Sequence, residues 1–250
     1  MASRALSWRR AAAIAWRDLK SAPGKFAFVV LSVAVGVAAL VGVRGFSNSF
    51  RHTLSTDARS LLAGDLSARI FHQPTAEDNS KIAAALKPDG AGTRWTWVTE
   101  TISMASVPSQ PVPLLVSLKA VNPDAYPFYG QVELQPAMSL KQALAGNSAA
   151  VAEEFLIRLN AHVGQTLRLG GKEFKIAAVI EQEPDRVTSG TGIGPRVMIS
   201  KASLATTGLI APGSRASQRL LVKTPAGEDL GAVRKQLETA LPDAQVMDYK

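Results

Sequence analysis

The chain has 250 residues, of which 46% are hydrophobic and 19% charged, and this balance excludes a disordered chain. Its formal charge is +8, but residues 1–25 alone carry +5, so the basic excess is not spread over a folded surface as nucleic-acid binding requires, and nucleic acid is not an expected partner. There is no cysteine, which removes disulfides and the usual ligand of structural zinc.

Residues 1–25 read as a cytoplasmic amphipathic segment. Ser7–Lys20 is expected to form a short helix, with Trp8, Ala12, Ile14, Ala15 and Leu19 toward lipid. Arg9, Arg10, Arg17 and Lys20 meet anionic headgroups, and Ser21-Ala-Pro-Gly24 breaks the helix. From Phe26 to Val43 there are 18 residues without a charge. As a helix the run is about 27 Å long, against a hydrocarbon core of about 30 Å. Extension to Phe46, with Lys25 and Arg44 snorkelling, closes the difference. Residues 26–46 are therefore expected to form a transmembrane helix, since a lone span must be helical. The run is too long for the apolar region of a signal peptide and lacks a polar face. Ser32, Gly36 and Gly42 either admit a second helix or are merely tolerated. The basic flank places the N-terminus in the cytoplasm and the bulk of the chain outside, as a single-pass protein; the resemblance given below implies that the membrane is the inner one.

Phe46, Phe50, Leu54, Ala58, Leu61 and Leu62 recur at helical spacing. Residues 47–64 are thus expected to form a stalk helix, ended by Gly64. Residues 65–71 alternate as a strand, and Thr75 caps a helix running to Leu86, stopped by Pro88-Asp-Gly. Trp95–Val107 and Leu114–Val121 read as strands joined by a turn over Pro108–Pro113. Asn122–Gly130 reads as loop, Ser139–Ala145 as a short capped helix, Ala149–Val151 as a strand and Glu153–Leu159 as a helix. Thr166–Leu169 and Glu173–Ile180 flank a Gly170-Gly171 hairpin turn. Glu181–Gly194 reads as a polar loop, Arg196–Ile199 as a strand and Ser200 as the cap of another helix. Gln218–Thr224, Glu228–Leu241 and Ala244–Met247 read as strand, helix and strand.

Strand–helix–strand thus occurs near residue 65 and again near residue 218. The expected fold is α+β: a single N-terminal transmembrane helix with its stalk, then a two-lobed extracytoplasmic domain over residues 65–250. One lobe is ferredoxin-like βαβ, and a β-rich lobe is inserted at about 110–212.

No arrangement of residues suited to chemistry stands out along the sequence, which leaves spatial triads open. Gly190-Thr-Gly-Ile-Gly194 has the glycines of a phosphate loop, but Pro195 leads into a strand and no helix or Lys-Ser/Thr follows. His52, His72 and His162 lack metal-ligand spacing. Glu153 and Glu154 are adjacent on a helix and point apart, which suits a helix start rather than a carboxylate pair. Trp95 and Trp97 share a strand face, as core or as a ligand platform. No catalytic, cofactor-binding or metal residue is expected.

Five stretches, in order, resemble a known family: Trp16-Arg-Asp-Leu19, Ser60-Leu-Leu-Ala-Gly-Asp65, Tyr126-Pro-Phe-Tyr-Gly130, Gly194-Pro-Arg-Val-Met-Ile-Ser200 and Thr207-Gly-Leu-Ile-Ala-Pro-Gly-Ser-Arg215. Together they resemble the YbbP-like ABC transporter permeases, grouped with the FtsX, LolC/LolE and MacB permeases. The resemblance implies a non-catalytic permease subunit with a MacB-like periplasmic core domain. It also implies a separate cytoplasmic ATPase, contacts with membrane lipids, and a periplasmic partner or a hydrophobic or lipid-linked cargo. Because the chain ends just after its last strand, the segments that would touch the ATPase are expected downstream. The alternatives are a stand-alone single-span adaptor or sensor and a membrane-anchored enzyme.

Overall fold

The computed structural model describes residues 8, 16, 17, 23–86, 92–186, 193–211, 214 and 216–248. The helix expected over Ser7–Lys20 and the stop at Pro88-Asp-Gly lie outside these residues, except that Trp8, Trp16 and Arg17 are helical. The chain divides into two compact units, Met1–Leu54 and Ser55–Lys250.

Helix α1 begins in the first unit and runs over Pro23–Leu62, 40 residues without a break. Proline fits the first helical position, where its missing N–H costs nothing. The large apolar side chains described between Phe28 and Val43 are all exposed, so the helix has no polar face there. The Ser32 hydroxyl donates to Phe28 O at 2.8 Å and is engaged on its own helix. Among the described residues, no helix is long and apolar enough to cross a membrane.

In the second unit the helix ends differently from expectation. Ala63 takes the left-handed conformation, with φ 55°, so Ala63 and not Gly64 reverses the chain. Gly64 serves a close approach instead, since a Cβ there would lie 3.1 Å from Val222 O and 3.3 Å from Leu66 O.

The remaining elements are β1 (Leu66–Ile70), α2 (Ala76–Ala85), β2 (Arg94–Val107), β3 (Gln110–Val121), β4 (Glu133–Gln135), α3 (Leu140–Ala143), β5 (Ser148–Ala152), α4 (Glu153–Leu159), β6 (Thr166–Leu169), β7 (Lys172–Gln182), β8 (Arg196–Ser200), α5 (Lys201–Leu204), β9 (Ser217–Lys223), α6 (Leu230–Ala240) and β10 (Gln245–Asp248). Capping is local and explains the helix starts. Thr75 with Asp78 and Ser139 with Gln142 form capping boxes, and Ser200 and Asp229 accept from backbone N–H groups of the first turn.

The strands form one sheet in the order β10-β1-β9-β2-β3-β8-β5-β7-β4. β6 pairs with both β2 and β7, so β2, β3, β8, β5, β7 and β6 close into a barrel. β2 belongs to both parts. Arg94–Glu100 pairs with β9 in the four-stranded layer, and Thr99–Val107 pairs with β3 in the barrel. The expected division near residue 110 therefore falls in a hairpin, and the sheet does not break there.

Three apolar clusters follow from the strand alternation. Leu66, Ile70, Trp97, Leu220 and Val222 pack under α2 and α6, against Ile82, Val233 and Leu237. Val116, Leu118, Val151, Phe155, Leu167, Phe174 and Val197 fill the barrel. On the opposite sheet face, Val98, Met198 and Leu221 lie against Tyr126, Phe128 and Leu144.

Other expectations need correction. The β2–β3 turn is only Pro108-Ser109, because Val107 already pairs with Gln110. Pro111 and Pro113 fall inside β3, where the ladder is irregular and β8 has not yet begun to pair; a missing N–H is tolerated there. β4 had no sequence signal, being 3 residues long. The expected polar loop after residue 181 holds two buried carboxylates, Glu183 and Asp185.

Candidate functional site

The strands joining layer to barrel carry charges at inward positions. Arg219 alternates with Leu220, so it faces away from α2 and α6. Glu100 on β2 stands opposite Lys119 on β3, and Arg196 on β8 stands opposite Ser117. The chain after β7 brings Glu183 and Asp185 onto this row. Lys119 Nζ donates to Glu183 Oε1 at 2.6 Å, to Asp185 Oδ1 at 2.7 Å and to the Tyr126 hydroxyl at 2.7 Å. Tyr126 in turn donates to Asp185. Arg196 donates to Glu183 Oε2 at 3.0 Å and to Ser117 Oγ at 2.7 Å. Arg219 bonds Asp185 and lies 3.4 Å from Glu100 Oε1.

Glu100, Glu183 and Asp185 balance Lys119, Arg196 and Arg219, all of them buried. Balance is what burial demands, since a buried charge without a partner is far costlier than a paired one. Burial pushes the Asp185 carboxyl up, but Lys119 and Arg219 outweigh it and hold it well below the usual carboxylate range. Burial, reinforced by Asp185 and Glu183, raises the Tyr126 phenol well above its ordinary value, so Tyr126 stays a donor. The row ties β2, β3, β8, β9 and two loops together across the junction of layer and barrel.

A second cluster sits where α1 gives way to β1. Asp65 is buried and accepts from the Tyr129 hydroxyl at 2.9 Å and from Thr224 N at 2.9 Å. Arg59, on the last turn of α1, lies 3.1 Å from Asp65 Oδ1 and 5.7 Å from the Tyr129 ring centre. Phe128 N donates to Ala63 O at 3.1 Å, and Asp65 N to Val222 O at 2.8 Å. The last turn of α1 is thereby fastened to β9 and to the 126–130 loop.

On the sheet face beneath α2 lies a cleft of about 360 Å³, lined by residues of the α2 start, β2, β9, α5 and the segment after it. Trp97, Leu204 and Ile210 supply apolar wall, and Asn79, Gln218 and Lys201 supply polar groups. Burial lowers the Lys201 ammonium to about 8, and no carboxylate lines the cleft among the described residues.

Four of the five sequence motifs converge on these three places, and Trp16–Leu19 lies partly outside the described residues. Ser60–Asp65 and Tyr126–Gly130 meet in the Asp65 cluster. Gly194–Ser200 supplies Arg196, and its Gly194 has φ 82° with Leu115 O in the space a Cβ would take. The stretch from Thr207 closes onto the β6–β7 turn, Thr207 O accepting from Gly171 N at 3.2 Å, and supplies Ile210 to the cleft. The other candidates stay apart. His72 is exposed and lies 3.5 Å from Asp78. His162 is exposed, and the side chain of His52 lies outside the described residues. Glu153 and Glu154 are exposed at a helix start whose cap, Ala152, has no side-chain bond to offer. Trp95 and Trp97 pack with the helix-side core, and Trp97 also walls the cleft, donating from Nε1 to Asn79 Oδ1 at 2.9 Å. Of the glycine loop, residues 190–192 lie outside the described residues. Among the described residues, no group of His, Asp and Glu could hold a metal ion.

The buried ionic row was missed because Glu183 and Asp185 sit in a polar stretch. The available signal was the single charges Glu100, Lys119 and Arg219 inside strands of mostly apolar neighbours.

Residues 26–240 match the family described as MacB-like periplasmic core domain. The chain is 30% identical over 205 residues to an uncharacterized ABC transporter permease, YbbP, of Escherichia coli (strain K12), covering 82% of this chain but 24% of that relative's length. Among solved structures, the periplasmic region of MacB from Actinobacillus actinomycetemcomitans superposes with a TM-score of 0.50 at 11% identity, over 76% of this chain and 91% of that one. The extracellular domain of the noncanonic ABC-type transporter YknZ from Gram-positive bacteria superposes at 0.48 and 12% identity, over 73% and 100% of the two chains. The mixed α+β, sheet-rich fold is that of the MacB periplasmic region.

Proposed function

Because the chain belongs to the family of MacB-like periplasmic core domains, we propose that it is the N-terminal part of an ABC transporter permease, in which the core domain couples ATPase motion to movement of a hydrophobic or lipid-linked cargo. Residues 1–25 lie on the cytoplasmic surface, against anionic lipid. Residues 26–46 cross the inner membrane, residues 47–64 form the stalk and residues 65–250 form the periplasmic core. In the core, β1, α2, β2, β9, α6 and β10 make the ferredoxin-like lobe, and about 110–212 make the β-rich insert. The cytoplasmic ATPase contacts parts of the permease beyond this chain, and the permease itself performs no catalysis.

One observation carries this reading: the last turn of α1 is fastened to the sheet through Arg59, Asp65 and Tyr129. A helix end fixed in this way passes displacement on to the sheet, whereas a loose connection would absorb it.

The test is a permease carrying this chain, reconstituted with its ATPase. Leu54→Pro removes a backbone bond inside the stalk part of the helix and costs about 3 kcal/mol or more locally. ATP-driven distance changes between spin labels on the core should disappear while the core keeps its melting transition. Unchanged ATP-driven movement, or a reading frame that stops after codon 250 with no further spans, overturns the proposal.

A further inference from the structure

We infer that the cleft under α2 is a binding site for a small amphiphilic anion, a carboxylate or phosphate carried on a compact apolar body. Its volume of about 360 Å³ falls within the range of clefts that take small molecules. The wall divides by chemistry. Trp97, Leu204 and Ile210 present an apolar side, and the polar side presents donors.

The donors are set by bonds already made. The Trp97 indole can only donate, so its bond to Asn79 fixes the Asn79 carbonyl toward Trp97 and leaves the Asn79 amide nitrogen for the cleft. The Gln218 carbonyl is engaged by the Thr99 hydroxyl at 2.7 Å, which leaves its amide nitrogen likewise. Lys201 adds a cation that has no carboxylate within ion-pair distance among the described residues. Its ammonium is partly stripped of water without a counter-charge, unlike Lys119, which has two carboxylates. Two amide donors and an uncompensated ammonium beside an apolar wall suit an anion with an apolar body. They do not suit a cation or a neutral hydrocarbon. The site is independent of the coupling role proposed above, and either can fail without the other.

The test uses the whole chain in zwitterionic nanodiscs with ¹⁵N-indole tryptophan. The chain has four tryptophans, and Trp97→Phe identifies the Trp97 signal. Hexyl phosphate and hexanoate should shift that signal saturably. Hexanol and inorganic phosphate, which lack one half of the ligand each, should bind at least tenfold more weakly. Lys201→Met should weaken hexyl phosphate at least tenfold, and Lys201→Arg should keep it. Lys201→Met removes a desolvated charge, so the variant should melt no lower than the parent. Phosphatidic acid in the nanodisc that displaces hexyl phosphate supports a lipid as the natural source, and no displacement supports a soluble acid. Absence of a saturable shift, equal binding of hexanol or inorganic phosphate, or unchanged affinity in Lys201→Met overturns the inference.

Discussion

Lys119 donates to Asp185 at 2.7 Å across 66 positions of sequence, and neither side chain reaches solvent. The bond joins a barrel strand to the chain leaving β7. Through Arg219, which also binds Asp185, it reaches β9 in the four-stranded layer.

This arrangement makes stability depend on acidity in a definite direction. The Asp185 carboxyl is held below the usual carboxylate range by Lys119 and Arg219 against the effect of burial, whereas in the unfolded chain it takes up a proton near pH 3.9, roughly the ordinary value. The unfolded state thus binds more protons as pH falls below about 4. The contribution of Asp185 is complete at neutral pH and is lost on acidification. Asp185→Asn should lower stability at pH 7 by about 3–5 kcal/mol, since it leaves buried cations short of a counter-charge. It should also flatten the acid limb of the stability curve. Denaturant unfolding between pH 7 and 3 checks both; a native-like acid limb in the variant contradicts the assignment.

The Asp65 cluster separates into a small effect and a large one. Tyr129→Phe removes one hydrogen bond and should cost about 1 kcal/mol. Asp65→Ala leaves the buried Thr224 N–H without its acceptor, at about 1–3 kcal/mol, and takes the carboxylate from the part-exposed Arg59. Amide exchange over residues 58–62 should rise clearly in Asp65→Ala and little in Tyr129→Phe. Equal exchange in the two variants would show that Asp65 does not secure the helix end.

Two glycines distinguish strain from collision. Gly146 has φ 58° and nothing within 4 Å of where a Cβ would stand, so Gly146→Ala carries strain alone, about 1–2 kcal/mol. Gly194 has φ 82°, and a Cβ there would also collide with Leu115 O. Gly194→Ala should therefore show a much lower urea midpoint than Gly146→Ala. Similar midpoints would mean that the strand start moves aside at little cost.

The proposed topology is checked by fusion. An alkaline phosphatase joined after Lys250 should be active, as the basic excess of residues 1–25 retains the N-terminus in the cytoplasm. Activity only when the enzyme precedes Met1 reverses the orientation.

Local signals made much of the fold legible. Thr75 followed by Asp78, and Ser139 followed by Gln142, announce helix starts within four residues. Alternation marks β2 and the Gly170-Gly171 hairpin. The strand order is not local: Leu118 of β3 pairs in parallel with Val197 of β8, and nothing near either residue names the other. The ionic row was hidden for the same reason, as Arg219 finds Asp185 34 positions away. The cleft was half visible. Trp97 was noticed as core or ligand wall, but Lys201 sits in a four-residue helix and acquires its meaning from Asn79 and Gln218, which come from elsewhere.

Closure of the barrel also decides how the core behaves in water. The strand order ends in β10, 4 residues long, and β4, 3 residues long. Each of the other strands has a neighbour on both sides over at least part of its length. Unpaired edges are where sheets of separate molecules join end to end, and short edges give such joining little to hold. Pro136 follows β4 directly, and on β10 Asp248 is held by Arg234 at 3.3 Å. At these two ends the sheet offers a neighbouring copy only three or four residues of strand to pair with.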